Sequence, residues 1–303
     1  MKQRLLLITT MSEQTQTAQK TNLQKFAQNL MAADTELVFD FAAVQSLVFA
    51  VNDDGSTHIT LNGHELAEQY DVLLLRNTNL FIDYAQAVLL YAQKRNLQVI
   101  NAATIEAPFY GKVSQGFLFA QHGIPTPALL SSPSNDTLLR SLQQSDFAFP
   151  MVIKHHLGIK GLHNYVAETT DVATEILMTD KQGFVAQPLI ANSGELRILT
   201  FGAHAPVIFK KTADDSGTHL NNTSRGGQAE MVDPDSVDPL IMAAVHSIMT
   251  LMRRDITGID VLLADDGQWY VLEANLTPAL ASGSFQTAKS QAFLAYLKAG
   301  GLA

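Results

Sequence analysis

The sequence predicts a protein of the α/β class (α+β overall) whose N-terminal part contains a largely parallel sheet. Two observations predict this class. Short apolar runs alternate with helical patterns through roughly the first hundred residues, as in sheets whose strands are joined by helices. The chain has 303 residues and is 47% hydrophobic, which is enough for more than one core.

The N-terminal elements follow from their apolar patterns. The apolar run 5–8 is too short for a signal peptide and is followed by polar residues, so we expect a buried strand. The turn 52–55 separates two short strand-like segments, which predicts a hairpin. No GxGxxG follows the first strand, which argues against a nicotinamide-dependent oxidoreductase. The expected elements are a helix over 17–31, strands over 36–40, 47–51, 58–61 and 71–76, a helix over 84–94 and a strand over 97–100.

A second unit begins near Asn101. A helix is expected over 112–121, ending at Gly123. Pro188 lies in an apolar strand, which predicts an edge strand or a chain crossing between subdomains, because proline cannot donate to a sheet ladder. The other expected elements are strands over 149–154, 184–190, 196–201 and 207–211 and helices over 171–178 and from about 238.

Composition excludes several classes of function. The 20 basic and 29 acidic residues give a formal charge of -9, which opposes binding to nucleic acid. The chain has no cysteine, so disulfides, catalytic thiolates and cysteine-based zinc sites are excluded, and we expect a cytoplasmic protein. No uncharged apolar run approaches the ~18 residues of a membrane helix.

The most informative stretch is a predicted hairpin near the C-terminus. Two apolar segments flank an Asp-Gly pair at 266–267, a strong hairpin signal. A two-residue loop there places Asp260 opposite Glu273, with Asn275 two residues on and on the same face. Facing carboxylates repel each other unless a cation lies between them.

Oxygen donors without His or Cys are the ligands that Mg²⁺ prefers, so Asp260, Glu273 and Asn275 form a candidate metal site. The alternative is an ordinary hairpin with exposed acidic residues. The metal site is favoured because Glu273 and Asn275 lie in an apolar strand that is followed at once by 276–278.

Two further segments have the composition of anion-binding loops. Lys154 ends a strand and is followed by Gly158, Lys160 and Gly161, whose backbone N–H groups and positive charge suit phosphate. A surface hairpin is the alternative there. The stretch 197–227 is cationic in an acidic protein, since it carries Arg197, Lys210, Lys211 and Arg225. Asn222 and Arg225, an amide and a guanidinium three residues apart, suit clamping an anion that develops during reaction, and a solvated loop is the alternative.

Taken in order, these segments resemble the ATP-grasp superfamily, specifically its RimK-like branch, which includes relatives of prokaryotic glutathione synthetase. The resemblance covers nearly the whole chain. It implies a Rossmann-like pre-ATP-grasp domain followed by the two-lobed ATP-grasp fold, with boundaries at 1–104, 105–188 and 189–303. The segments that carry it are 61–76, 111–125, 149–161, 194–197, 222–227, 258–260 and 273–278.

The resemblance also implies an activity and residue roles. Such ligases join a carboxylate to an amine through an acyl phosphate made from ATP. By resemblance, Asp260, Glu273 and Asn275 would bind two Mg²⁺ ions, or Mn²⁺ in their place, with Glu273 bridging. Glu195 would contact the ribose or help to hold Arg197. The expected nucleotide-binding residues are Lys112, Lys154, Gly158, Lys160, Gly161, Gln187, Leu189, Ile190, Glu195 and Arg197, and the expected catalytic residues are Arg225, Lys210 and Asn222.

The sequence departs from the family pattern at four positions. Pro188 stands where the adenine-binding strand usually has an acid, His163 and Ala279 replace glycines, and Leu220 replaces an arginine near the acceptor carboxylate. We therefore expect small-molecule carboxylate and amine substrates, an amino acid, a small peptide or a protein tail, without assuming a ribosomal protein. The alternative is a degenerate ATP-grasp protein that binds nucleotide without ligating. The resemblance is compatible with a homo-oligomer.

Overall fold

The computed structural model describes residues 2–11, 16–106, 111–145, 147–158, 163–179, 181–212 and 228–300. Its N-terminal part contains a fully parallel four-stranded sheet in the order β2-β1-β6-β7, as the sequence predicts. Parallel strands need crossover helices, and these cover the sheet. The elements are β1 (Gln3–Thr9), α1 (Gln16–Ala33), β2 (Leu37–Ala43), β6 (Val72–Arg76), α3 (Ile82–Arg95), β7 (Gln98–Ile100) and α4 (Ala103–Glu106).

A small antiparallel sheet in the order β3-β4-β5 is inserted between β2 and β6. Its first two strands form the predicted hairpin, with Leu47 paired to Leu61 and Val51 to Thr57. The polar turn between them closes through a hydrogen bond from the Gly55 N–H to the Asn52 carbonyl, 2.9 Å. The elements are β3 (Leu47–Val51), β4 (Thr57–Leu61), β5 (His64–Glu65) and α2 (Leu66–Gln69).

The middle of the chain forms a second four-stranded sheet in the order β10-β9-β11-β8. The strand that contains Pro188 lies inside this sheet, so the prediction of an edge strand was wrong. Pro188 is tolerated because it ends its strand, beyond the three residues that pair with β8. The chain then crosses to the next sheet, as the alternative prediction stated. The elements are α5 (Lys112–Gln121), β8 (Leu130–Ser132), α6 (Asn135–Gln144), β9 (Met151–His155), β10 (Asn164–Ala167), α7 (Thr170–Leu177) and β11 (Phe184–Pro188).

The C-terminal part is built on a five-stranded antiparallel sheet in the order β14-β13-β12-β15-β16. One face packs on an apolar helix, α8, and the other carries the polar residues described below. The elements are β12 (Asn192–Phe201), β13 (His204–Thr212), β14 (Gln228–Val232), α8 (Pro239–Met252), β15 (Ile256–Ala264), β16 (Trp269–Asn275) and α9 (Gln286–Lys298).

A shared core joins the first and last parts of the chain. Phe293 of α9 packs against Phe26 of α1 and Phe39 of β2, with ring centroids 5.9 and 6.5 Å apart. The same buried cluster includes Leu199 and Phe209 of the C-terminal sheet. The carboxyl ends of the parallel strands therefore lie against the polar face of that sheet. Among the described residues, no helix is long and apolar enough to span a membrane.

Candidate functional site

The hairpin formed by β15 and β16 pairs Asp260 with Glu273 and Gly258 with Asn275, as predicted. The predicted two-residue turn was wrong, because Leu263 pairs with Trp269 and the loop between the strands is longer. A bulge next to Asp260 shifts the register by one residue. The bulge compensates for the longer turn, so both carboxylates still occupy facing positions.

Asp260 is 3% exposed and accepts hydrogen bonds on both carboxylate oxygens. Arg197 of β12 donates Nε to Oδ1 at 2.5 Å and Nη2 to Oδ2 at 2.6 Å. Lys211 of β13 donates to Oδ1 at 3.1 Å, and Asn275 donates Nδ2 to Oδ2 at 3.0 Å. Burial opposes ionisation of Asp260, but the positive charges of Arg197 and Lys211 outweigh it and hold its pKa well below the usual range.

A second buried carboxylate belongs to this cluster. Lys211 donates Nζ to Oε1 of Glu195, which pairs with it across β12 and β13. Burial and then the negative charge of Asp260 raise the pKa of Glu195 to about 8, although Lys211 opposes the shift. Two cations and two carboxylates thus form one connected network on a single face of the sheet.

Lys112 connects Glu273 to the loop that follows β9. Its Nζ lies 3.3 Å from Oε2 of Glu273 and donates to the Gly158 carbonyl at 2.8 Å. The lysine is the first residue of α5, which begins where Gly111 caps the helix in an extended conformation. The Lys112 N–H also bonds the His156 carbonyl at 3.2 Å, so backbone and side chain both fix the lysine beside this loop.

Lys154 lies near the same carboxylates. Burial and then the positive charge of Lys112 lower its pKa to about 8, while the negative charges of Glu273 and Glu195 act in the opposite direction. The ammonium group is therefore within electrostatic reach of all three residues. A lysine held in this way gains a favourable partner when a phosphate group enters.

Gln115 fixes α5 against the strand that contains Glu273. It is 3% exposed, donates Nε2 to the Ala274 carbonyl at 3.1 Å and accepts the Ala274 N–H on Oε1 at 2.7 Å. Ala274 lies between Glu273 and Asn275, so the side-chain amide of Gln115 fixes the position of both candidate metal ligands relative to Lys112. This residue was missed at the sequence level, because a buried Gln in a helix has no distinctive pattern.

The structure places the other predicted residues in three groups. Gln187 is 6% exposed in β11, and Leu189 and Ile190 follow at the crossing between sheets, where the Leu189 N–H bonds the Pro150 carbonyl at 3.0 Å. Lys210 pairs with Leu196, so it lies on the α8 face, opposite to Asp260. The predictions for Lys160, Gly161, Asn222 and Arg225 lie outside the described residues, as does Leu220.

Lys210 was the lysine predicted to act in the site, but its neighbour Lys211 is the one that joins the carboxylate network. Alternation along a strand sends neighbours to opposite faces, and a one-residue difference in register exchanges them. His163 has a φ of +54°, a conformation that glycine adopts without steric cost, which fits the glycine expected there by resemblance.

The residues present fit a divalent cation by their chemistry. Asp260, Glu273 and Asn275 offer only oxygen donors on one face, and Glu273 has Lys112 as its ion-pair partner in the described structure. Asp260 already accepts four donors, so it would have to exchange one of them to bind a metal ion. Within the described ranges, no group of three His, Asp or Glu side chains is placed to hold a metal, so the set depends on Asn275.

Comparison with known proteins gives a consistent family. A sequence model of the RimK-like ATP-grasp domain matches residues 110–292. Human beta-citrylglutamate synthase B is 22% identical over 249 residues, which are 80% of this chain and 63% of the synthase. The chain thus spans less than two thirds of the length of this curated relative.

Solved structures share the whole fold. A RiPP-associated ATP-grasp ligase from Chryseobacterium gregarium, in complex with ADP and with a leader and core peptide, has a TM-score of 0.68 at 12% identity over 98% of this chain and 97% of that chain. D-alanyl-alanine synthetase A from Vibrio cholerae has a TM-score of 0.67 at 13% identity over 99% and 98%. At these identities the likeness is one of fold.

Proposed function

Because the chain belongs to the RimK-like ATP-grasp family, we propose that it is an ATP-dependent ligase that joins a carboxylate to an amine. The observation that carries the proposal is the contact of Lys112 with Glu273. It brings a predicted phosphate-binding lysine at the start of α5 next to a predicted metal ligand in β16. An ordinary surface hairpin would not require two facing carboxylates, two lysines and an asparagine in one place.

ATP would lie between the middle sheet and the C-terminal sheet. We expect Lys112 and Lys154 to bind its phosphates, and Gln187, Leu189 and Ile190 to line the adenine pocket. Pro188 offers no N–H and no acidic side chain there, so the purine amino group would bond to backbone carbonyls of this segment. Gly158 belongs to the loop that Lys112 already contacts.

The proposed metal site would hold two Mg²⁺ ions, or Mn²⁺ in their place, on Asp260, Glu273 and Asn275. When bound, the ions would neutralise phosphate charge and align the triphosphate. The protein contributes positioning: Arg197 and Lys211 hold Asp260, and Gln115 holds the strand of Glu273 and Asn275.

The reaction we propose has two steps. A carboxylate oxygen of the first substrate attacks the γ-phosphorus of ATP, which gives an acyl phosphate and ADP. The amine of the second substrate, having lost its extra proton to solvent, then attacks the carbonyl carbon. The C–O bond to phosphate breaks, the amine loses its remaining excess proton, and an amide and inorganic phosphate remain. Arg225, with Asn222 as a further candidate, would stabilise the negative charge that develops. Lys210 is dropped from this role because it lies on the opposite face of the sheet from Asp260.

The names of the relatives guide the choice of substrates to test. The relatives are named for a citrylglutamate, for a dipeptide of alanine and for a complex with a leader and core peptide, so free amino acids and peptide side chains are both to be tested. Glutamate is the first amine to try, since the name of the human relative contains it.

The experiment measures ADP formation by the purified protein with ATP, Mg²⁺ and pools of amino acids, di- and tricarboxylic acids and short acidic peptides. A productive pool should raise ADP formation and yield a product whose mass is the sum of two substrates minus water. Glu273→Gln should lower this rate by about two to three orders of magnitude, because it removes a charge that acts in the transition state. Glu175→Gln, an exposed position on α7, is the matched control.

Two outcomes would contradict the proposal. Equal rates for Glu273→Gln and the wild type would remove the metal assignment. Binding of ATP without substrate-stimulated ADP formation across all pools would favour the degenerate nucleotide-binding protein instead.

A further inference from the structure

Two cations lie beside the proposed active site with no carboxylate partner in the described structure. Arg76 is the last residue of β6, at the carboxyl end of the parallel sheet. Its Nη2 donates to the Pro278 carbonyl at 2.5 Å, and its Nη1 is buried without any hydrogen-bond partner. Burial lowers the pKa of Arg76 to about 10, with no neighbouring charge acting to restore it.

Lys289 of α9 is the second cation. It is 3% exposed and donates Nζ to the carbonyls of Ala279 and Ser282, at 2.8 and 2.9 Å. Burial, followed by the positive charges of Arg197 and Arg76, lowers its pKa to about 8. Both guanidinium groups are therefore close enough to repel this ammonium group.

Arg76 and Lys289 lie next to the hydrogen-bonded network around Asp260. Arg197 uses Nε and Nη2 on Asp260, which leaves Nη1 without a partner in that pair. A methyl group on Gly258 would lie 3.2 Å from that Nη1 and 2.9 Å from Cβ of Pro278. Arg197 and Pro278 are thus neighbours across Gly258, and the Pro278 carbonyl leads on to Arg76.

The buried positive charges of Arg76 and Lys289 are not balanced by a described carboxylate. Asp260 neutralises Arg197, but no described Asp or Glu lies within 4 Å of Arg76 or Lys289. Lys289 and Nη2 of Arg76 donate to backbone carbonyls of the segment 278–282 and so hold it in place. Uncharged donors could hold the segment equally well. This role does not explain a buried guanidinium nitrogen without a partner, which is costly unless a ligand satisfies it.

We propose that Arg76, Lys289 and Nη1 of Arg197 form a pocket that binds a carboxylate group of the substrate other than the one that reacts. The pocket rests on the proposed ligase function and narrows its substrate to an acid with a second carboxylate or to an amino acid bound through its own carboxylate. A planar guanidinium binds such a group through two parallel hydrogen bonds, which explains an arginine at position 76.

The test is direct binding, which does not depend on turnover. Calorimetric titrations with ADP and Mg²⁺ present would use glutarate and L-glutamate, with glutaramide and the α,γ-diamide of L-glutamate as the matched analogues that lack both carboxylates. At least one acid should bind the wild type more tightly than its amide, and Arg76→Gln should weaken the acid about tenfold or more. Arg76→Lys should fall between the two. Arg4→Gln, at the amino end of the strands of the same parallel sheet, is the matched control and should bind like the wild type.

If Arg76→Gln does not fold, Lys289→Gln decides, and unchanged affinity in that variant would overturn the pocket. Failure of both acids to bind the wild type would overturn it as well. The two proposals fail separately: ligation with an unchanged KM in Arg76→Gln would refute the pocket alone, whereas Arg76-dependent binding without any ADP formation would refute the ligase alone.

Discussion

Arg197 binds Asp260 through two parallel hydrogen bonds, donating Nε to Oδ1 at 2.5 Å and Nη2 to Oδ2 at 2.6 Å. The two residues pair directly across β12 and β15, and Asp260 pairs in turn with Glu273 across β15 and β16. Three adjacent strands thus contribute one row of charged side chains. The orientation of the candidate metal ligands is set by this row and does not depend on a flexible loop.

Removing Arg197 should destabilise the protein. Arg197→Met leaves the Asp260 carboxylate buried with only Lys211 as a cation, and breaking a buried pair from one side typically costs about 3 kcal/mol or more. We expect a loss of about 3 kcal/mol in the free energy of unfolding, measured by urea denaturation. Arg140→Met, on the exposed face of α6, should change it by less than about 0.5 kcal/mol. Equal stability of the two variants would show that the pair is not energetically coupled.

Gly258→Ala tests the close packing of Gly258 against Pro278 and Arg197. The added methyl group would lie 2.9 Å from Cβ of Pro278, so the Pro278 segment or Arg197 must move. Overpacking of this kind costs about 1–3 kcal/mol, and we expect lower activity as well. Gln143→Ala, at an exposed position of α6, is the control for stability. A fully active and equally stable Gly258→Ala protein would contradict the packing.

Gln115→Met should uncouple α5 from β16. The change leaves the Ala274 N–H and carbonyl without their present partner in a buried position, which costs about 1–3 kcal/mol for each unsatisfied group. Since Lys112 begins the same helix, we also expect a higher KM for ATP. Unfolding curves and ATP kinetics measure the two effects, and an unchanged KM with reduced stability would restrict Gln115 to a structural role.

Nucleotide affinity should depend on pH through Lys154. Its pKa is lowered to about 8, so the ammonium group is present below pH 8 and is lost above it. An anionic nucleotide binds the protonated form, and affinity should therefore fall by up to about tenfold per pH unit above pH 8. Fluorescence titration with an ATP analogue from pH 7 to 9.5 measures this. Lys154→Arg keeps its charge over this range and should abolish the fall; an identical slope would rule out Lys154 as the titrating group.

Stability should rise with pH through Lys289. Its pKa in the folded protein is about 8, below the ordinary value of 10.5, so between these values the unfolded chain binds a proton that the folded chain does not. Folding is thus favoured as pH rises from about 8 to 10.5. The comparison is between the wild type and Lys289→Met, in thermal unfolding from pH 7 to 10. The wild type should gain stability relative to the variant, and parallel curves would contradict the lowered pKa.

Sequence patterns were sufficient where the chemistry is local. The pairing of Asp260 with Glu273, the helix over 112–121 and the parallel N-terminal sheet all followed from spacing and alternation. The turn and the bulge of this hairpin were not predicted, and the Asp260–Glu273 pairing was still correct because their two shifts in register cancel. Which face of β13 Lys210 and Lys211 occupy depends on a similar shift of one residue.

Long-range partners were also beyond reach. Gln115 contacts Ala274 and Arg76 contacts Pro278 over separations of 159 and 202 residues, and neither side chain differs in sequence from an ordinary helix or strand-end residue. Lys289 lies in α9, which was not predicted at all because its apolar positions have weak helical periodicity. Such contacts depend on how the sheets pack against each other.

The central claim is that ATP activates a carboxylate, and oxygen transfer tests it most directly. The acid that stimulates ADP formation would be supplied with ¹⁸O in its carboxyl groups, together with ATP, Mg²⁺ and its amine partner, and the released phosphate analysed by mass spectrometry. We predict one ¹⁸O atom in the phosphate for each amide formed. Phosphate without ¹⁸O, with ADP released at the same rate, would mean hydrolysis by water and would contradict the ligase.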